Sequence, residues 1–215
     1  MIYSLDRTEK MFVIVGAGSL ASGDLLFEKR PGDIVAAADA GYLYLKEQGI
    51  RPDLIIGDFD SSEEPDTDIE IIELPVEKDD TDIVYCVREG FRRGYNNFLI
   101  LGALGGERIS HTMANIQLLS MIYARGGRAE LRYGNQALFV LGEGEKIAFD
   151  KNLQGHFSVF SLTEKSLITL KNLYYPLEKG EIIRSFPLGV SNHFTGKKAE
   201  VILHKGEILI IIEET

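Results

Sequence analysis

The chain has 215 residues, 45% of them hydrophobic, with 23 Lys and Arg against 33 Asp and Glu for a formal net charge of −10. That size and apolar content suit one large or two small folded domains and exclude general disorder. The acidic balance argues against a nucleic-acid-binding surface, and no apolar run approaches the ~20 residues of a membrane-spanning helix.

Phe12 to Val15 is a short apolar run that ends at Gly16. Ile34 to Ala38, Leu54 to Ile56, Ile69 to Leu74 and Phe98 to Leu101 repeat the pattern, ending at Asp39, Gly57-Asp58, Pro75 and Gly102. Continuous apolar runs bounded by Gly, Pro or Asp suit strands buried on both faces of a mainly parallel sheet. Helical patterns lie between them. Tyr42 to Gln48 is closed by Gly49. Thr81 to Arg93 carries Ile83, Val84, Val87 and Phe91 on one face before Gly94, and Thr112 to Arg125 carries Ile116, Leu119 and Tyr123. Further strands are expected around Leu131 and over Leu138 to Leu141. This alternation predicts an α/β N-terminal domain with a mainly parallel sheet over residues 1–142. Beyond Gly142 the helical pattern stops. Phe157 to Leu162, Leu167 to Leu170, Ile182 to Phe186, Ala199 to Leu203 and Ile208 to Ile212 predict a small all-β domain over residues 143–215. His204 to Glu207 reads as its last hairpin turn. Cys86 is the only cysteine, which excludes an intrachain disulfide. With no signal-peptide core in residues 1–10, the expected location is cytoplasmic.

In open α/β sheets, ligands bind beyond the carboxyl ends of the strands, and the polar residues cluster there. Asp58 and Asp60 lie one residue apart after a buried strand, so their side chains point to the same side. Two such carboxylates repel unless a cation sits between them, and a hard divalent metal that also takes phosphate oxygens is the simplest candidate. Polar capping of a loop is the alternative. Lys78-Asp79-Asp80-Thr81-Asp82 follows the fourth strand; Asp80 or Thr81 would cap the next helix, but three acids with a lysine exceed that need. Gly102 to Gly106, followed by Arg108, His111, Thr112 and Asn115, is either a turn or a cradle that brings backbone N–H groups to phosphates. Gly16-Ala17-Gly18-Ser19-Leu20-Ala21 fits the dinucleotide fingerprint, with Asp39 near the distance of a ribose-binding acid, although Gly23 and Pro31-Gly32 interrupt the helix it requires. The four His are scattered, which disfavours zinc. Cys86 reads as a packed helix residue, and Tyr174-Tyr175-Pro176 as core.

Taken in order, Ala38 to Gly41, Pro52 to Ser61, Lys78 to Asp82, Gly102 to Gly106 with Arg108 and His111 to Asn115, Tyr175 to Leu177 and Leu188 to Asn192 resemble the thiamine pyrophosphokinase family over nearly the whole chain. The resemblance implies an α/β catalytic domain with a C-terminal β-sandwich. It implies transfer of the pyrophosphoryl group of ATP to thiamine, giving thiamine diphosphate and AMP with Mg²⁺. It further implies a homodimer, with thiamine between the α/β domain of one subunit and the β-domain of the other. Carried across, Asp39, Asp58, Asp60 and Asp82 are the catalytic acids, and Asp58, Asp60 and Asp82 the metal ligands. Lys78, Asp79, Thr81, Arg108, His111, Thr112 and Asn115 surround the nucleotide, and Ser191 and Asn192 meet thiamine. Three departures stand out. Ser110 replaces the Asp that the family usually has before His111, Glu107 lengthens the glycine loop, and Ala40 replaces a usual Gly. With no Trp in the chain, another aromatic such as Phe194 would have to pack on thiamine. A pyrophosphokinase for another hydroxymethyl heterocycle such as a pterin, and a non-catalytic nucleotide or thiamine sensor, are the rival readings. A metal-dependent glycosyltransferase would use Asp-x-Asp but leaves Lys78 to Asp82 unexplained.

Overall fold

The computed structural model describes residues 5, 8–25, 27–59, 68–105 and 108–215. The chain divides into two compact units, Met1–Gly134 and Asn135–Thr215. The division falls ahead of the Gly142 expected from sequence. Strand β7 (Gln136–Gly142) pairs antiparallel with the C-terminal strand β14 (Glu207–Glu214), which ties it to the second unit.

The first unit contains β1 (Met11–Val15), β2 (Ile34–Ala38), β3 (Leu54–Gly57), β4 (Glu70–Glu73), β5 (Asn97–Leu101) and β6 (Arg128–Tyr133), with helices α1 (Gly41–Glu47), α2 (Asp82–Arg92) and α3 (Ile109–Ala124). The strand order is β6-β5-β1-β2-β3-β4 and every pairing is parallel. Every residue of β1, β3 and β5 is buried, as continuous apolar runs require. Each such Val, Leu or Ile side chain contributes roughly 1.5–3 kcal/mol on leaving water. Chain order departs from β1 in both directions, to β2 on one side and β5 on the other, so the topological switch lies between β1 and β5.

The glycine fingerprint sits at that switch point but does not do what it does in a dinucleotide fold. Residues 16–25 form turns and an isolated bridge from Ser19 to Leu104, not a helix. The glycines serve a close approach of two loops instead. Gly16 N donates to Leu101 O at 2.9 Å and Gly18 N to Gly102 O at 2.8 Å. A Cβ on Gly16 or Gly18 would lie 2.6 Å from Gly102 O, and Gly102 itself has φ +61°. The dinucleotide reading is therefore overturned, because the glycine loop runs into turns and opens no helix of its own over residues 16–25.

Helix α2 packs Ile83, Cys86, Val87 and Gly90 inward. Burial pushes the Cys86 thiol far up, so it is an inert packing group. Helix α3 starts three residues before the expected Thr112, because its first turn carries the exposed Ile109, which breaks the amphipathic pattern. Among the described residues no helix is long and apolar enough to cross a membrane.

The second unit is all β. It adds β8 (Lys146–Phe149), β9 (Gly155–Ser161), β10 (Lys165–Lys171), β11 (Leu177–Ile183), β12 (Gly189–His193) and β13 (Ala199–Lys205). Strands run in the orders β12-β9-β14-β7 and β11-β10-β13-β8, and the pairings are antiparallel. Phe149 of one layer meets Phe157 of the other at 6.1 Å between ring centroids, with Phe194 against both. Two local expectations are corrected. The strand foreseen at Ile182 to Phe186 is Leu177–Ile183, and Phe186 is exposed. His204 to Glu207 is not a hairpin, because β13 and β14 belong to different sheets. Gly206 turns this corner with φ +92°, where a Cβ would come within 2.6 Å of Ser166 Oγ and Thr163 Oγ1. The buried hydroxyls of Ser161 and Ser166, 2.7 Å apart, satisfy each other beneath the corner.

Candidate functional site

A cleft of ≈ 670 Å³ opens in the first unit where the loops after β1, β2, β3 and β5 meet the starts of α2 and α3. Asp39, Asp58, Lys78, Asp80, Thr81 and Asp82 line it together with Arg108, His111 and Asn115. Separate strand ends thus deliver their polar residues to one place. Asp39 leaves β2 with φ 49°, and its N–H is held by Ile56 O at 2.8 Å. A non-glycine residue in the left-handed region costs about 1 kcal/mol or more and recurs at functional sites. Gly57 makes room for it, since a Cβ there would stand 2.9 Å from Asp39 Cα.

The acidic wall is organised around one ammonium. Lys78 Nζ donates to Asp58 Oδ2 and lies 3.1 Å from Asp82 Oδ1. The Lys78 side chain is 8% exposed, against 11% for Asp58 and 23% for Asp82, so water screens the triad weakly. Burial works against the lysine's charge, but the hydrogen bond to Asp58 and the ion pair with Asp82 overturn it and hold the ammonium above its ordinary range. The rest of this segment has structural duties. Thr81 Oγ1 caps α2 by accepting from Val84 N at 3.4 Å, and Asp80 pairs with Arg88 at 2.6 Å. Asp79 is exposed and does not line the cleft. Asp60 lies outside the described residues, as do Ser61 and Glu107.

The start of α3 lines the cleft as well. Arg108 is its N-cap residue, and Arg108 and His111 line the cleft. The first turn of α3 carries no acid and, among the described residues, no side chain caps it. Its N–H groups and dipole therefore favour an anion, reinforced by the guanidinium. Asn115 is buried and holds the glycine loop by donating from Nδ2 to Ala103 O at 2.8 Å. Thr112 reaches Gly105 O at 3.3 Å and stands outside the cleft lining. Ser110 is exposed and does not line the cleft either.

Among the described residues, no three His, Cys, Asp or Glu side chains converge as a metal cage. The donor set nonetheless fits magnesium. That ion is commonly held by one or two carboxylates with phosphate oxygens and water completing its shell, and a cation already stands between Asp58 and Asp82.

In the second unit, the two residues expected near thiamine differ in kind. Ser191 is exposed, has φ 59° and anchors its N–H on Ser158 Oγ at 3.1 Å. Asn192 is 4% exposed, and both its amide oxygen and its amide nitrogen are hydrogen-bonded. Oδ1 accepts from Tyr175 N and His193 N, both at 2.9 Å, and Nδ2 donates to Tyr175 O at 2.8 Å. Asn192 therefore sets the position of the tyrosine pair. Phe194 is core, packed on Phe149 and Phe157, and offers no face to a ligand. Tyr174 and Tyr175, read from sequence as core, are 57% and 62% exposed. Tyr174 stacks on His193 at 4.3 Å, and Tyr175 stands edge-on to Tyr174 at 4.9 Å. The available signal was two aromatics beside a proline in a short-strand region, where a turn presents them outward.

Comparison with known proteins agrees with both units. The family model for the thiamin pyrophosphokinase catalytic domain matches residues 28–131, and that for the thiamin pyrophosphokinase vitamin B1 binding domain matches residues 145–208. No curated protein matches the chain in sequence. Among solved structures, thiamin pyrophosphokinase from Geobacillus thermodenitrificans is 26% identical with a TM-score of 0.80, over 95% of this chain and 98% of that one. Thiamine pyrophosphokinase from Bacillus subtilis is 22% identical with a TM-score of 0.81, over 96% and 100%. The yeast enzyme is 18% identical with a TM-score of 0.81, over 98% and 88%. The last two pairs speak to the fold alone.

Proposed function

The chain belongs to the thiamin pyrophosphokinase family, and from that premise we propose how its residues divide the work. It is an ATP:thiamine diphosphotransferase, converting ATP and thiamine to AMP and thiamine diphosphate. One observation carries the assignment of the reaction to the cleft: it has an acidic wall at Asp39, Asp58 and Asp82 and a cationic wall at Arg108 and the N-terminus of α3. A triphosphate with a divalent cation needs both, and the positively charged thiazolium ring of thiamine gains from the first.

In this reading Asp58, Asp60 and Asp82 hold Mg²⁺, which when bound neutralises charge on the phosphate oxygens. Arg108, with the N–H groups that open α3, holds the polyphosphate in line. Lys78, Thr81, His111, Thr112 and Asn115 surround the nucleotide, Asn115 by fixing the loop at Ala103; Asp79, being exposed, would have to reach it from outside the cleft lining. The thiamine hydroxyl attacks the β-phosphorus, the bond from that phosphorus to the oxygen of the α-phosphate breaks, and AMP leaves. One carboxylate of the acidic wall takes the hydroxyl proton. Most of the rate then comes from placement and fixed charge.

The second unit is proposed as the thiamine-binding β-sandwich, with the exposed Tyr174 and Tyr175 supplying the aromatic surface in a chain without Trp and Ser191 beside them. Tyr174, Tyr175, Phe186 and Leu188 are all more than half exposed, which supports a homodimer whose active site is completed by the partner's first unit. A cytoplasmic location accords with the single, buried cysteine. The test is AMP release from ATP and Mg²⁺ with and without thiamine, with mass analysis of the product. Thiamine-dependent AMP and a product heavier by a diphosphate are expected. AMP released only with a hydroxymethyl pterin would transfer the reading to that substrate, and ligand binding without any AMP would make the chain a silent relative.

A further inference from the structure

Lys78 stands between Asp58 and Asp82, two of the carboxylates proposed above to hold the metal. Its side chain is buried, touches both carboxylates and reaches them from the loop just before α2, four residues from Asp82 along the chain. An isolated pair of carboxylates on this wall would attract any divalent cation. With the ammonium in place half of the pair's charge is already compensated, and a free metal ion must displace a hydrogen-bonded charge to enter.

We propose that Lys78 is a positioning residue that makes metal entry depend on the nucleotide. In the free enzyme its ammonium shields Asp58 and Asp82 and holds them in place. When a triphosphate arrives with its metal, the ammonium turns from the carboxylates to the phosphate oxygens, and the metal takes the carboxylates. One cation is exchanged for another at the acids while the lysine finds a new anion, so no buried charge is left alone. A free metal ion offers the lysine no such replacement partner. Lys78 and Arg108 line the same cleft, so the ammonium turns within the cleft that would hold the phosphates. This inference rests on the reading of the cleft as a metal and triphosphate site.

The experiment measures Mn²⁺ binding to the full-length protein, by calorimetry and by shift in Tm, with and without α,β-methylene ATP. Wild type is expected to bind Mn²⁺ weakly alone and at least about tenfold more tightly with the nucleotide analogue, and the analogue to gain equally from the metal. Lys78→Met is expected to melt lower without metal, to bind Mn²⁺ alone about tenfold more tightly than wild type, and to lose most of the coupling. Lys78→Arg, which keeps the charge, should restore weak binding of free metal. The proposal is overturned if Lys78→Met binds free Mn²⁺ no better than wild type. Should Lys78→Met not fold, wild type decides alone: free Mn²⁺ bound as tightly without the analogue as with it overturns the shield. Failure of the underlying reading looks different, since wild type would then bind neither the analogue nor Mn²⁺ at this cleft and would release no AMP with thiamine.

Discussion

The cleft of the first unit and the aromatic surface of the second hold their functional groups by opposite means. Around the cleft, charges are fixed by other charges and by backbone packed on backbone: Lys78 between Asp58 and Asp82, Asp39 over Gly57, Gly16 and Gly18 against Gly102. On the second unit, uncharged rings stand in the open, and a buried amide, Asn192, sets their backbone. The difference follows from the ligands each would meet. Polyphosphate chemistry needs fixed charge in a weakly screened place. A flat heterocycle needs ring area and a firm edge.

That contrast breaks most visibly at Asp58. Asp58→Asn keeps the shape and removes a charge, and is expected to lower kcat/KM on the order of a thousandfold, as removal of a transition-state electrostatic partner does. Lys78 retains Asp82, so Tm should move little. Steady-state assay with a parallel thermal melt checks both, and turnover equal to wild type would remove Asp58 from the chemistry. The second unit should answer differently. Asn192→Leu strands the N–H and C=O of Tyr175 and is expected to cost about 1–3 kcal/mol of stability. It should also raise KM for thiamine while leaving KM for ATP alone. Tyr175→Ala sharpens the point: roughly a tenfold rise in KM for thiamine, near 1.4 kcal/mol, with kcat and stability held. An equal rise in both KM values would mean that the tyrosine pair serves the fold or the nucleotide. Smaller again, Thr81→Ala removes the cap of α2 and is expected to cost about 1 kcal/mol, read from urea unfolding.

The same contrast governs what the sequence discloses. Strands buried on both faces write themselves as continuous apolar runs, so β1, β2, β3 and β5 were legible within a residue or two, and so was the acidic rim at their ends. A cap for α2 at Asp80 or Thr81 was legible because that duty is local, and the structure gives it to Thr81. What was hidden depended on distant partners. Gly16 to Ala21 imitates a phosphate loop because a glycine needed for close approach to Gly102 looks the same as one needed for a ligand. The His204 to Glu207 corner imitates a hairpin because nothing local records that β13 and β14 join different sheets. Phe194 and Tyr175 exchanged roles because burial of Phe194 depends on Phe149 and Phe157, each more than thirty positions away in sequence. Asp60, half of the most telling pair in the sequence, lies outside the described residues.

A buried acid remote from chemistry separates charge held for function from charge held for folding. Asp33 accepts from Met11 N at 2.8 Å and Arg30 N at 3.0 Å, fastening the start of β1. Burial raises its carboxyl, but the hydrogen bonds from Arg30 N and Met11 N, with the Arg30 guanidinium, outweigh that and hold it below the ordinary carboxylate range. A carboxyl lowered in the folded state contributes stability that is fully present above its unfolded value, near 3.9. That contribution is lost as pH falls through the lower folded value. The urea midpoint of wild type should therefore exceed that of Asp33→Asn at pH 6, and the gap should narrow toward pH 3. Thiamine-dependent turnover at pH 7 should be the same in both once the variant is folded. A gap that stays constant to pH 3 would mean that Asp33 acts through shape alone, and a loss of turnover would tie β1 to the cleft more closely than the hydrogen bonds of Gly16 and Gly18 require.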